Sequence, residues 1–381
     1  MKELTTLLKD SRFYIPAGFI LCLEIFLQSG LYKYLLKPDS YAANIINIEH
    51  TTKDSPVHAN YLILGTSVAY QGINLPLLNE KMKSRDAVFQ SGASQGAKLI
   101  TQHAIFRNII PDLPRTKYII HISEITFPWT ARRTLDVANR SMLAQFPRFD
   151  TLKLLEKQGY ILTADDYSNF LVRSVTYKSD LRDFFLGPLN RIKHLAREAK
   201  KEKSLYPYEN WNEYGMDVLG SMTTRECADL VPENIKEFDT SNRRITDETH
   251  ITAMKQTCQL AMYDPMSDPG SEQWADLYFE RFAMLVKDAD ERGIQIITVF
   301  PPYSEFIQDP KAELKMKIWN EHLKKIYGSR PYTVINLWHS LDGPENRSLF
   351  YDTIHLNRKG SLRFTEKLAE QLEILLPEQE K

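Results

Sequence analysis

Short apolar runs that end at small or turn-forming residues are the feature that most constrains the fold of this chain. The first of these runs is Tyr61–Leu64, which Gly65 closes. It does not alternate apolar with polar residues, so both faces of the strand that it predicts would be buried. Strands of this kind are typical of a parallel sheet covered by helices. We therefore expect an α/β fold.

Further strand and helix signals alternate along the chain, which predicts a doubly wound, five-stranded parallel sheet of the flavodoxin-like type. The other four predicted strands lie at 87–89, 118–122, 294–300 and 332–336, and helical periodicity marks 99–110, 271–292 and 358–375. In such a sheet, ligands bind at the carboxyl ends of the strands.

One long stretch breaks this alternation. Residues 127–270 predict a large, mainly helical insertion in an α/β domain that covers 61–376, and residues 38–60 predict a polar connector before that domain. The insertion contains an aromatic, turn-rich segment, Tyr206–Tyr214. We expect the insertion to form a cap beside the rim of the sheet rather than an independent domain.

The N-terminal region predicts a membrane anchor. The apolar run Phe13–Leu36 is long enough to cross a bilayer, for which about 20 residues are needed. Two lysines and an arginine precede it, which favours a cytoplasmic N-terminus. Glu24 and Gln28 count against a span, because a carboxylate at mid-bilayer costs roughly 2.5–3.5 kcal/mol. An amphipathic helix packed on the soluble domain is the alternative. We expect residues 1–37 to be a single-pass anchor, with the rest of the chain outside the cytoplasm.

Charge and cysteine spacing exclude several classes of function. The formal net charge is −1, so the field of the whole protein gives no reason to expect nucleic acid as a partner. The sequence has no C-x-x-C or H-E-x-x-H spacing, and we predict neither a metal site nor a cofactor. Outside the cytoplasm Cys227 and Cys258 could form a disulfide, but we expect two unpaired buried thiols.

Two motifs far apart in the chain carry the candidate chemistry. Ser67 ends the turn Gly65-Thr66-Ser67 after the first strand, and Asp352 precedes His355 by three residues, just before the last helix. A serine hydroxyl is a weak nucleophile and needs a base within hydrogen-bond reach. A histidine supplies that base, and a carboxylate holds its tautomer and stabilises the imidazolium. If the motifs meet in space, Ser67 is the nucleophile, His355 the base and Asp352 its orienting group.

Other residues that could serve this site also follow strand ends. The oxyanion of a tetrahedral intermediate needs hydrogen-bond donors, and the backbone N–H groups of Ser67 and Gly92 are the candidates. Four side chains after the third and fourth strands are the candidates for contacting substrate: Glu124, Arg132, Arg133 and Tyr303. Of these, Arg132 and Arg133 are the candidates for binding an anionic substrate.

These motifs resemble those of the SGNH, or GDSL-type, hydrolase superfamily over about 61–125 and 293–376. The first block of that family is Gly-Asp-Ser, where this chain has Thr66 in place of the aspartate. The glycine of the second block corresponds to Gly92, and the D-x-x-H block corresponds to Asp352 and His355. The third block of the family carries an asparagine that donates to the oxyanion, whereas this chain has no asparagine in 121–126.

The anchor, the insertion and the altered third block resemble the membrane-tethered branch of this superfamily, which includes DltD-like and alginate-acetylation-type proteins. That resemblance implies an extracytoplasmic enzyme that transfers an acyl group, through an acyl-Ser67 intermediate, to a cell-envelope polysaccharide or teichoic-type polymer. It also implies a membrane-bound O-acyltransferase as a partner. An esterase or deacetylase that uses water as the acceptor is one alternative. A catalytically silent subunit that binds polymer or scaffolds a membrane complex is the second alternative.

Overall fold

A computed structural model describes residues 11–53, 57–200, 204–230, 248–307 and 309–376. The chain forms two compact units. One falls within 1–47 and 134–203, and the other, which contains the sheet, falls within 48–133 and 204–381. The helix Tyr41–Lys53 crosses the boundary between them.

Five strands build the sheet: β1 Tyr61–Leu64, β2 Phe89–Ser91, β3 Tyr118–Ile122, β4 Gln295–Phe300 and β5 Thr333–Asn336. All neighbouring pairs are parallel, and the order is β2-β1-β3-β4-β5. This is the order of flavodoxin-like doubly wound sheets. The predicted α/β fold with a five-stranded parallel sheet is therefore confirmed. The second strand begins two residues later than its sequence signal suggested.

Helices connect the strands and cover the sheet. Those of the sheet unit within the described residues are Ser67–Gly72, Leu75–Lys81, Leu99–Ile109, Phe127–Thr130, Thr224–Asp229, Glu248–Ala261, Ser271–Asp290, Ala312–Tyr327, Asn346–Leu349 and Arg358–Leu375.

Successive strand side chains point to opposite faces, and each face packs on its own set of helices. On one face, Ile63 and Ile120 share a buried apolar cluster with Phe364 and Leu368 of the last helix. On the other face, the Phe300 ring lies 5.4 Å from the ring of Trp319, which belongs to the helix Ala312–Tyr327. Burial on both sides explains why the strand signals do not alternate.

The strand order fixes where a ligand can bind. The chain leaves β1 for β2 on one side of it and then crosses to β3 on the other side. The connections after β1 and β3 therefore diverge, which opens a crevice at the carboxyl ends of these two strands. Ser67 lies three residues after β1, and Glu124 lies two residues after β3.

The stretch 127–270, predicted to be one insertion, is divided in the structure. Residues 134–203 belong to the first unit, whereas 127–133 and the described residues from 204 onward belong to the sheet unit. The helices Thr224–Asp229 and Glu248–Ala261 are thus part of the sheet unit. The predicted mainly helical character is present, since we find no strand among the described residues of this stretch.

The first unit is helical in its described residues and is held together around a buried carboxylate. Asp180 accepts hydrogen bonds from the Tyr32 hydroxyl at 2.5 Å and the Lys37 amide at 2.9 Å, and it pairs with Arg191 at 3.0 Å. The helices wholly within this unit are Ser11–Gln28, Val137–Leu143, Arg148–Lys157, Ala164–Leu171, Arg173–Thr176, Lys178–Leu186 and Pro188–Glu198.

Residues 13–36, predicted to be one membrane-spanning helix, are divided in the structure between a helix and a 3₁₀ turn. In the described residues, no helix combines the length and the apolar character that crossing a bilayer requires. The apolar run forms a helix that ends at Gln28, because Gly30 adopts a left-handed conformation and a 3₁₀ turn, Leu31–Leu35, follows. The Glu24 carboxylate accepts hydrogen bonds from the backbone amides of Arg173 and Ser174, at 2.7 and 2.8 Å.

The two cysteines predicted to be free thiols form a disulfide instead. Cys227 and Cys258 are both fully buried, and their Cα atoms are 5.8 Å apart. They lie on helices that pack against each other, which brings the sulfurs together although 31 positions separate the residues in the chain. A disulfide of this span restricts the unfolded chain and so stabilises the fold.

Replacing both cysteines, Cys227→Ser and Cys258→Ser, is expected to lower the free energy of unfolding of the sheet unit by about 3–4 kcal/mol, from the entropy of closing a loop of this length. Urea denaturation followed by circular dichroism measures this change. The control is Cys22→Ser, because Cys22 is free and exposed; its effect should stay within about 0.5 kcal/mol. Equal midpoints for the double variant and the parent protein would contradict the disulfide.

Candidate active site

The nucleophile candidate lies at a tight strand-to-helix turn. Ser67 is the first residue of the helix Ser67–Gly72, and the Thr66 hydroxyl caps that helix by accepting from the Val68 amide at 3.2 Å. Gly65 allows the turn to close, because a Cβ at this position would lie 2.5 Å from the Ala69 Cβ. The turn holds Ser67 at the carboxyl end of β1, where the crevice opens.

The two motifs meet. The His355 imidazole lies between the other two residues, with Nε2 at 2.7 Å from the Ser67 Oγ and Nδ1 at 2.8 Å from the Asp352 Oδ2. Both distances are those of good hydrogen bonds. With Nδ1 protonated and donating to the carboxylate, Nε2 is free to accept the serine proton. This is the geometry that a nucleophile, its base and an orienting carboxylate require.

Asp352 is held by the backbone of its own turn. Its Oδ1 accepts from the amides of Ile354 and His355, at 3.0 and 2.8 Å, while Oδ2 serves the imidazole. An antiparallel bridge between Phe350 and Leu356 closes this turn. The three-residue spacing of the motif is therefore what lets one carboxylate bind both the backbone and the ring of His355.

The charge of this pair shapes the titration of His355. Burial alone would lower the pKa of the imidazole, but the Asp352 carboxylate, through its charge and its hydrogen bond, and the Glu124 carboxylate raise the pKa above its ordinary value. A raised pKa makes His355 a stronger base for the serine proton. It also means that the neutral, competent form is lost at a higher pH than for an unperturbed histidine.

Glu124 is the additional charged group of the site. Its Oε1 accepts a hydrogen bond from the Thr66 hydroxyl at 3.0 Å. Burial raises the pKa of Glu124 to about 7, against the opposing effects of the Thr66 hydrogen bond, the His355 charge and the Tyr303 hydroxyl. The buried Tyr303 hydroxyl faces this carboxylate without making a hydrogen bond of normal geometry. The candidates Glu124 and Tyr303 thus lie beside Thr66 and His355.

Gly92 does not act as the sequence predicted. Its N–H donates to the Ile63 carbonyl at 2.8 Å and so continues the β1–β2 ladder. Its Cα faces the core, since a Cβ there would lie 2.8 Å from the Ile105 Cγ2. The glycine is needed for packing, and its amide is occupied. Of the two predicted oxyanion donors, Ser67 alone keeps an N–H at the first position of a helix, where no intrahelical carbonyl is available.

The predicted arginine candidates have different surroundings. The Arg132 guanidinium donates to the backbone carbonyls of Trp129 and Ala131, at 3.2 and 2.7 Å, and lies 5.0 Å from the centre of the Trp274 ring. These contacts give Arg132 a structural function in the loop after β3. Arg133 is exposed.

Sequence reasoning missed the residues that support the catalytic turn. Thr257 holds the turn by accepting two hydrogen bonds from Thr353: its hydroxyl accepts from the Thr353 amide at 3.1 Å, and its carbonyl accepts from the Thr353 hydroxyl at 2.9 Å. His250 lies on the same helix, with its Nε2 2.7 Å from the Tyr351 carbonyl. A single sequence offers no signal for such contacts, because they join segments about a hundred residues apart.

Comparison of the chain with known proteins provides no relative from which the role of a residue could be transferred. No family model matches the chain, and no curated protein matches it. Among the described residues, no three histidine, cysteine or acidic side chains are arranged to hold a metal ion. The roles discussed below therefore rest on the geometry of this chain.

Asp352→Asn is expected to slow acylation of Ser67 by about 10⁴-fold, since the amide no longer holds the Nδ1–H tautomer of His355. The acidic limb of the pH profile should also move to lower pH, because the carboxylate that raises the His355 pKa is gone. The rate of reaction with an activated ester, measured from pH 5 to 9, checks both effects. A variant with the parent rate and profile would contradict the role of Asp352.

Glu124→Gln is expected to move the acidic limb to lower pH with a smaller loss of rate, because it removes one of the charges that raise the His355 pKa. Glu124 itself titrates near pH 7, so the acidic limb of the parent protein's pH–rate profile should be broader than the titration curve of a single group. In Glu124→Gln the acidic limb should fit the titration of one group. Tyr278 and Tyr303 also face Glu124 but stay protonated in this range, since burial raises the pKa of both. Glu80→Gln, at an exposed position, is the control. An acidic limb that is unchanged in Glu124→Gln would exclude an effect of Glu124 on the His355 pKa.

Proposed function

We propose that this protein is a serine acyl-transfer enzyme that works through an acyl-Ser67 intermediate. The observation that carries the proposal is the continuous hydrogen-bonded chain Ser67–His355–Asp352. Ser67 and His355 are 288 positions apart in the sequence, whereas Asp352 precedes His355 by three. A serine adjacent to a base that a carboxylate orients is the arrangement that activates a hydroxyl nucleophile. Its position in the crevice at the carboxyl ends of β1 and β3 adds support, because ligands of such sheets bind there.

In the first half of the reaction, the Ser67 Oγ forms a bond to the acyl carbon of the donor while its proton passes to the His355 Nε2. The imidazolium that results is stabilised by Asp352, and by Glu124 when that group is ionised. The tetrahedral intermediate then collapses, and His355 returns the proton to the leaving group. The developing oxyanion can accept from the Ser67 amide.

In the second half, an acceptor hydroxyl replaces the leaving group. His355 removes the acceptor proton as its oxygen attacks the acyl ester, and the proton returns to the Ser67 Oγ when the ester breaks. With a polymer hydroxyl as acceptor the protein is a transferase, and with water it is an esterase. The site has the same residues in both cases.

We place the protein in the SGNH superfamily and outside the cytoplasm as part of this proposal. The strand order and the spacing of the Asp352-His355 motif support the superfamily. The buried disulfide supports the location, because disulfides persist in oxidising compartments. The acceptor is then a cell-envelope polysaccharide or teichoic-type polymer, and a membrane-bound O-acyltransferase is the partner that the resemblance suggests.

A catalytically silent subunit that binds polymer is the second candidate. The specific observation in its favour is the occupied Gly92 amide, together with the absence of an asparagine after β3. These leave the oxyanion with fewer donors than an efficient esterase uses. Loss of one such donor costs about 10²–10³-fold in rate, so a slow enzyme rather than a fast one is expected.

An activated fluorophosphonate probe is expected to label the protein, and Ser67→Ala is expected to abolish the labelling. The matched control is Ser204→Ala, because Ser204 is an exposed serine of the sheet unit. Mass spectrometry of the labelled peptide identifies the modified residue. Labelling that persists in Ser67→Ala, or that is absent from the parent protein, would refute the enzyme and leave the silent subunit.

A further inference from the structure

The aromatic segment Tyr206–Tyr214 is tied directly to both catalytic motifs. The buried Asn210 amide donates to the Gln71 carbonyl at 2.9 Å and to the Leu356 carbonyl at 2.8 Å. Gln71 lies on the nucleophile helix, and Leu356 is the residue after His355. One side chain thus joins the segment to the two elements that must meet for catalysis.

Two further bonds hold the end of the segment. The Arg358 amide donates to the Asn212 carbonyl at 2.7 Å, and the Asn357 side chain donates to the Tyr214 carbonyl at 2.9 Å. Both donors come from the start of the last helix, directly after the catalytic turn. The segment is therefore a fixed wall beside the site.

This wall presents aromatic rings. The rings of Tyr70 and Tyr208 are stacked, with centroids 4.2 Å apart and planes inclined by 22°. The Trp211 side chain is 61% exposed. We call Tyr70, Tyr208 and Trp211 the aromatic platform. An exposed indole offers a large, flat apolar face for a ligand to pack against.

The platform lies close to the reacting groups. Tyr70 is three positions after Ser67 on one helix, so the two side chains lie on neighbouring parts of the same helix face. On the other motif, the Arg358 guanidinium lies 4.7 Å from the centre of the Trp211 ring, and Arg358 is three positions after His355. The platform is therefore attached to the two elements that carry the nucleophile and the base.

The chemistry of the platform fits a neutral sugar ring. Flat aromatic faces pack against the apolar C–H face of a pyranose, while nearby polar groups bind its hydroxyls. The phenol groups of Tyr70 and Tyr208 remain protonated donors, because burial raises the pKa of both. The carboxylates of Glu209 and Glu213 lie on the same segment, and Glu213 pairs with Arg358 at 3.1 Å. Since that pair neutralises the cation over the indole, the platform offers no excess of positive charge to an anionic polymer.

We propose that the aromatic platform binds a neutral pyranose residue of a glycan chain and holds it beside Ser67 as the acyl acceptor. The role of the platform as an acceptor site rests on the proposed acyl-transfer function. Glycan binding itself does not depend on that function, because the platform and its anchoring bonds do not involve the serine hydroxyl.

Binding is tested with the full-length Ser67→Ala protein, which cannot turn over, and with cellohexaose as the neutral probe in isothermal titration calorimetry. Binding is expected, and adding Trp211→Ala or Tyr208→Ala should weaken it by at least about tenfold. Trp211→Phe keeps a ring and should recover part of the loss. Phe149→Ala removes an exposed aromatic ring outside the platform and should change nothing. An anionic hexauronate should bind more weakly than cellohexaose.

Any of three results would refute glycan binding by the platform. These are failure of Ser67→Ala to bind cellohexaose, binding that the added Trp211→Ala change leaves unchanged, and tighter binding of the hexauronate than of cellohexaose. Fluorophosphonate labelling separates this proposal from the enzymatic one. Phe149→Ala with the native serine should keep the parent labelling rate and the parent glycan binding. Joint loss of labelling and glycan binding in Trp211→Ala would show that Trp211 supports the serine rather than a sugar. Glycan binding in a protein that the probe does not label would leave the platform standing and remove the enzyme.

Discussion

The carboxylate of Asp352 is the group on which the geometry of this site depends. It accepts two backbone amides with one oxygen and the His355 ring with the other, so the orientation of the imidazole is fixed by the turn that carries it. The ring then reaches across to Ser67 on a different element. The buried Asp352 carboxylate thus orients an imidazole that joins two segments far apart in the sequence of the sheet unit. Against the lowering effect of burial, the Asp352 and Glu124 carboxylates raise the pKa of His355, which sets the pH range in which the imidazole can accept a proton.

The sequence was sufficient for the sheet and for the turn that joins Asp352 to His355, because both follow local rules. An apolar run closed by Gly65 predicts a buried strand, and the D-x-x-H spacing predicts a turn in which Asp352 can bind His355. It failed for Gly92, because whether a glycine serves a ligand or the core depends on which neighbour needs the space, here Ile105. It failed for Cys227, because pairing depends on how two helices pack. For the N-terminal run, apolar length gave no sign that Gly30, in a left-handed conformation, would separate the helix from a 3₁₀ turn.

Two departures from the SGNH pattern are parts of one arrangement. Thr66 stands where the family has an aspartate, and Glu124 stands in the segment where the family has an asparagine. The Thr66 hydroxyl accepts from the Val68 amide and donates to Glu124, which a carboxylate at position 66 could not do. An aspartate at position 66 would place two carboxylates in hydrogen-bond contact, which disfavours the ionised form of one of them. The threonine and the glutamate are therefore compatible with each other.

The covalent link between the two sulfurs bears on the position of His355 as well as on folding. Cys258 follows Thr257, which accepts two hydrogen bonds from Thr353 in the turn that carries His355. A crosslink on one residue thus restrains its neighbour, and through it the imidazole. Where thiols are kept reduced, this restraint would be absent.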